Sequence, residues 1–190
     1  VRKYLITVFV LASIAFANQL LTNGSFEDTL TNGWQQSMGG GDSASITRGP
    51  DYDPDPDYEV LVYSTAGTSN SYAKLYQTVY VPTTDLEFSV NAKLYAYDND
   101  DSVSWAGAAV VISYLDTCDS LLGDTKICAQ SSSLQHPWIN TSTSHIIEAP
   151  DSFWHDYSFN IDDELTNLPG VNPSDINKIQ VALLDSTLWG

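Results

Sequence analysis

The sequence predicts an all-β chain folded as an antiparallel β-sandwich or jelly roll. Three observations lead there. Apolar and polar residues alternate with period two in several short stretches, the mark of strands with one buried face. Gly, Pro and Asn-Gly pairs separate these stretches and read as turns. Nowhere does an apolar stripe recur at helical spacing over the length of a long helix. With 190 residues the chain can close one domain around its own core.

Taken in order, the chain begins with Arg2 and Lys3, an apolar run over 5–16, and the small-residue site Ala15-Phe16-Ala17. That pattern is an export signal cleaved after Ala17, which leaves a mature domain of 18–190 outside the cell or at its surface. The run is shorter than the ~20 apolar residues of a spanning helix, so no membrane span is expected in the mature chain. The stretch 18–34 holds two Asn-Gly turns, Asn23-Gly24 and Asn32-Gly33, with Leu20, Leu21 and Phe26 as apolar anchors. Glu27 and Asp28 set carboxylates beside an aromatic and turn carbonyls, the beginning of a calcium site. Residues 37–43 read as a Gly-rich loop and 44–47 as a short strand. In 49–57, Pro50, Pro54 and Pro56 forbid helix, and the alternating carboxylates make either a solvated loop or a cation-binding one.

From Tyr58 the chain is strongly β. A strand over 58–63 is followed by 73–81, with Leu75, Gln77, Val79 and Val81 on one face, ended by Pro82. The run 86–97 alternates best: Leu86, Phe88, Val90, Ala92, Leu94 and Ala96 face a core, while Asn91, Lys93, Tyr95 and Tyr97 face out. A turn at 98–101 leads to a strand over 105–116 that opens with Trp105 and several small residues. Cys118 and Cys128 are close in sequence, and after export they are expected to pair as a disulfide around a small loop. The region 131–144 is polar and aperiodic; 153–161 is a strand; 162–168 is a helical turn capped by Asp162; and 176–184 is the last clear strand.

Seven Lys and Arg face 24 Asp and Glu; without Arg2 and Lys3 the formal charge is −19. Such a surface repels nucleic acid and anionic lipid and suits cations and neutral ligands. The chain has no G-x-S-x-G, H-E-x-x-H, phosphate-loop or C-x-x-C motif. His155 and Asp156 are sequence neighbours on a strand, so they point to opposite faces and make no catalytic pair. The expectation is therefore a binding domain and not an enzyme.

The segment Leu20, Asn23-Gly24-Ser25-Phe26-Glu27, then Gly33-Trp34 resembles the opening of CenC-like carbohydrate-binding modules (families 4 and 9), members of the galactose-binding-like sandwiches. The pieces that follow keep that order: 73–81 around Gln77, the long strand 86–97, Trp154 to Phe159, and Lys178 to Val181. The resemblance implies a non-catalytic module for a polysaccharide or glycan, with one structural calcium held by Glu27 and, as a substitute for the usual donor, Asp185. It places Trp34 and Trp154 in the core. Stacking on Tyr and Trp with hydrogen bonds from amides and Lys is what a sugar needs, so Gln77, Asn91, Lys93, Tyr95, Tyr97 and Trp105 are the candidate ligand-binding residues. Gln77 also has a structural reading, as an amide among apolar neighbours that needs partners. The resemblance departs at the end: the usual closing strand is absent before Trp189-Gly190, so the sandwich is expected to lack its last strand and to leave a sheet edge open. Two other readings stand beside this one: an extracellular structural or adhesive domain that binds protein partners or self-assembles, and the front of a longer glycoside hydrolase.

Overall fold

A computed structural model describes residues 19–40, 43–50, 57–65, 70–97, 104–131 and 138–188. The expected export signal, most of the acidic Pro loop, the expected turn at 98–101 and the last two residues lie outside the described residues. The fold is all-β and sandwich-like, as the alternation predicts.

Ten strands are described: β1 (Gln35–Gly40), β2 (Ser43–Gly49), β3 (Glu59–Thr65), β4 (Asn70–Tyr80), β5 (Glu87–Lys93), β6 (Trp105–Leu115), β7 (Leu121–Gln130), β8 (Ser144–Glu148), β9 (Trp154–Asn160) and β10 (Lys178–Leu188). One layer is a six-stranded sheet in the order β1-β4-β10-β6-β7-β8, antiparallel except for the parallel β7–β8 pair. The opposing layer is split into two separate two-stranded sheets, β2–β3 and β5–β9. Each half has its own core. Under β2–β3, Leu30, Trp34 and Leu75 pack with Phe26, Ile46, Val60 and Val62. Under β5–β9, Phe88, Ala92 and Leu94 pack on Val110, Ile112, Ile127 and Val181. Leu183 borders both cores, so the seam between the halves runs over β10 and β6.

The sheet edges are β1 and β8, while β10, the last strand, is flanked by β4 and β6. The edge expected at the C-terminal strand is thus not where the described sheet ends. Two strands stand where the sequence reads as loop. β1 is a Gly-rich run with no alternation, paired by its backbone to β4. β7 occupies the stretch expected to be a disulfide loop. Its extension separates the two cysteines. Cys118 lies exposed in the turn before β7, and Cys128 is buried seven residues after the strand begins, roughly 20 Å away. A bridge needs Cα atoms within about 7 Å, so the expected disulfide does not form and both thiols are free. Burial pushes the Cys128 thiol up to about 11, which makes it a poor nucleophile. Alkylation of the native protein should label Cys118 alone, with Cys128 reacting only after unfolding. A linked Cys118–Cys128 peptide in unreduced protein would contradict this placement.

Two shorter corrections concern ends. β5 stops at Lys93, so Tyr95 and Tyr97 lie beyond the paired strand. The helical turn α1 (Ile161–Glu164) begins one residue early, capped by the Asn160 side chain, which accepts from the Asp162 N–H at 2.9 Å. Asp162 is therefore inside the turn, where its charge still favours the helix N-terminus. No helix among the described residues is long and apolar enough to cross a membrane.

Candidate functional site

The split in the second layer leaves an open groove of about 800 Å³ over β10 and β6. Small and aliphatic residues, Ala108, Val110 and Leu183, form its floor. One bank carries Phe26, Asp57, Tyr58 and Glu59; the other carries Asn91, Lys93, Trp154 and Asp156. Strand register puts these four on the face of β5–β9 turned away from the core, so they border the groove from its rim, while Val90, Ala92 and Leu94 line it from the inner face. Asn91 pairs with Asp156 and Lys93 with Trp154, and directly paired residues share a face. His155, Tyr157 and Phe159 face the core from the other side of β9, with Tyr157 and Phe159 packed against it. Asn91 Nδ2 donates to Asp156 Oδ1 at 2.8 Å, which fixes the carboxylate at the rim.

The sequence-derived residues are only partly brought together. Asn91 and Lys93 line the groove. Tyr95 and Tyr97 are open to solvent, at 63% and 62% exposure, further along the same chain. Trp105 is elsewhere. It starts β6 in the six-stranded sheet, on the face turned away from the groove, and packs edge-on to Trp138 at 5.7 Å between ring centroids. The small residues after it have a plain cause: the Trp138 ring lies over Gly107, where a Cβ would come within 2.5 Å of it. Gln77 is buried and structural. Its Oε1 accepts from the Thr22 N–H at 2.7 Å, and its Nε2 donates to the Thr22 carbonyl at 2.9 Å. It therefore clips the N-terminal segment to β4 as a strand partner would.

Trp34 is buried, as the resemblance implies, but Trp154 is not a core residue. It is half-buried at the groove; the resemblance assigns it to the core, and alternation along the strand gives two faces without saying which one is wet. His155 does find a carboxylate, Asp151 in the preceding turn, with Nε2 at 2.7 Å from Oδ1. That contact and the Phe153 N–H hold the Asp151 carboxyl below its ordinary value. No nucleophile is positioned against His155 among the interactions of the described residues.

Glu27 and Asp185, the expected calcium pair, stand apart. Glu27 is exposed and its Oε1 meets the Tyr58 N–H at 3.4 Å. Asp185 faces inward from β10 and accepts from Ser64 Oγ at 2.8 Å. Tyr58 and Ser64 are six residues apart along the extended β3 chain, roughly 20 Å. Among the described residues no group of three or more acids, histidines or cysteines converges as a metal site. Glu27 and Asp185 are thus not brought together as ligands of one ion.

No family model matches the chain, and no curated protein matches it. Among solved structures it is similar to the enzymatically active domain of bacteriophage CBA120 tailspike protein 4, at 14% identity and a TM-score of 0.45. The match covers 89% of this chain and 20% of that one, so the chain spans about a fifth of that neighbour's length.

Proposed function

We propose that this is a secreted, non-catalytic carbohydrate-binding domain whose groove takes a neutral polysaccharide or glycan. The observation that carries the reading is the seam between β2–β3 and β5–β9, with aromatic rings and hydrogen-bonding groups on both banks. Trp154 offers a ring for the CH side of a sugar, and Asn91 and Lys93 offer donors for its hydroxyls. The acidic charge of the chain supports a neutral ligand over a polyanionic one.

A glycan array with the full chain tests the reading, followed by titration of the best ligand. Replacing Trp154 with Ala should weaken binding about tenfold, the equivalent of one exposed stacking contact of ~1.4 kcal/mol. Trp105→Ala should leave binding unchanged, since that ring lies on the opposite face of the six-stranded sheet. Equal losses in both variants would sink the groove assignment. The groove also holds carboxylates on both banks, Asp57 and Glu59 against Asp156, the residue type of a glycoside hydrolase. Release of reducing ends from the bound glycan would favour that second reading.

A further inference from the structure

The N-terminal segment 19–34 presents carbonyl oxygens that a hard cation would seek, and nitrogen donors already engage them. The Asn23 carbonyl accepts from Trp34 Nε1 at 3.0 Å and from the Phe26 N–H at 3.2 Å. The Asp28 and Thr29 carbonyls accept from Asn23 Nδ2 at 3.1 and 3.2 Å. The two carbonyls next to the candidate ligand Glu27 face a single side chain from β2. Arg48 Nε donates to the Phe26 carbonyl, and Arg48 Nη2 donates to the Glu27 carbonyl at 2.6 Å. Its guanidinium carbon lies 3.4 Å from the centroid of the Tyr58 ring. Tyr58 in turn reaches Glu27 through its N–H.

We propose that Arg48 is the built-in cation of this segment, standing where the resemblance calls for calcium, and that it sets the Phe26–Tyr58 bank of the groove without any divalent ion. The backbone supports this role. Phe26 adopts φ 58°, a left-handed conformation that costs an L-residue energy and persists only where the surroundings enforce it. Arg48 grips that residue's own carbonyl, so it is placed to hold the strained conformation. A guanidinium suits the task for three reasons. It presents a planar fork to two adjacent acceptors, it stacks on an aromatic face, and it stays charged at every physiological pH. A calcium ion at the same carbonyls would have to displace it, and among the described residues no group of three or more His, Cys, Asp or Glu side chains gathers to help hold the ion.

The test is thermal melting of the full chain, which does not depend on any glycan. Wild-type protein dialysed against EDTA should melt within about 1 °C of protein in millimolar calcium, because a specific ion would otherwise stabilise the native state by mass action. Arg48→Met, which keeps the aliphatic stem and removes the fork, should lower the melting temperature by about 5–10 °C in both conditions. Arg48→Lys should recover only part of the loss, since an ammonium cannot bridge both carbonyls in one plane. A calcium-dependent rise in the wild type that Glu27→Gln abolishes would overturn the proposal. So would an Arg48→Met variant that melts like the wild type. If Arg48→Met does not fold, the wild-type calcium comparison and Arg48→Lys decide the matter.

Discussion

Replacing Glu164 with Ala should lower the stability of the domain by about 3–5 kcal/mol, the loss expected when several hydrogen-bond partners are left around one buried acceptor site. Glu164 is 6% exposed and sits at the end of α1, beneath the six-stranded sheet. Its Oε1 accepts from Thr125 Oγ1 at 2.9 Å and meets His145 Nδ1 at 2.5 Å, while Oε2 accepts from Asn167 Nδ2 at 3.1 Å. Thr125 passes the chain on to the Tyr114 hydroxyl at 3.1 Å, and that phenol is pushed up by burial. One carboxylate therefore ties β6, β7, β8 and the helical connection together. Alanine leaves Thr125, His145 and Asn167 without their acceptor, and an unsatisfied buried group costs more than a made bond gains. For a domain of this size the melting temperature should fall by roughly 6–20 °C. Glu164→Gln keeps one acceptor oxygen and should lose less. Equal melting of the Ala and Gln variants would show that the network contributes shape alone.

The second large effect has the opposite sign. Asp185→Asn should stabilise the domain by roughly 2–3 kcal/mol at pH 7 and above. Burial between β10 and β3 pushes the Asp185 carboxyl from its ordinary 3.8 up to about 6, with the Ser64 hydrogen bond offsetting only part of that. The folded state thus holds the proton more tightly than the unfolded one. The stability this provides is complete below pH ~4 and is lost as pH rises through about 6, where the buried carboxylate must ionise. Asparagine mimics the protonated form and still accepts from Ser64. Melting curves from pH 4 to 8 should show the two proteins alike at the acid end and diverging with rising pH. A constant difference across that range would mean that Asp185 acts by packing or hydrogen bonding and not by charge.

These residues also show where sequence reasoning reaches and where it stops. β4 and β5 are legible from clean alternation, because one buried face forces period two on the sequence, while β6, β9 and β10 are legible as runs rich in β-branched, aromatic or other apolar residues between turn signals. β1 is not legible: Gln35–Gly40 buries little, and its pairing with β4 uses main-chain groups that any sequence has. β7 was hidden by its cysteines, whose nearness in sequence becomes distance once the chain between them is extended. For the site, Asn91 and Lys93 were readable from the outward face of β5. Trp154 and Tyr58 were not, because the split of the second layer is a tertiary event set by two separate cores. Gln77 illustrates the same limit: the sequence shows an amide among apolar residues, and only the fold supplies Thr22 as the reason.

The central claim is that ligand lies along the seam between the two halves of the second layer. Hydrogen exchange of the full chain, with and without saturating glycan, reads this most directly. Slower exchange is expected at 57–62, 89–94 and 154–158, three of the runs that border the groove, with no change at 72–80 or at Trp105. Protection confined to the Tyr72–Tyr80 stretch and Trp105, with the groove runs unchanged, would contradict it.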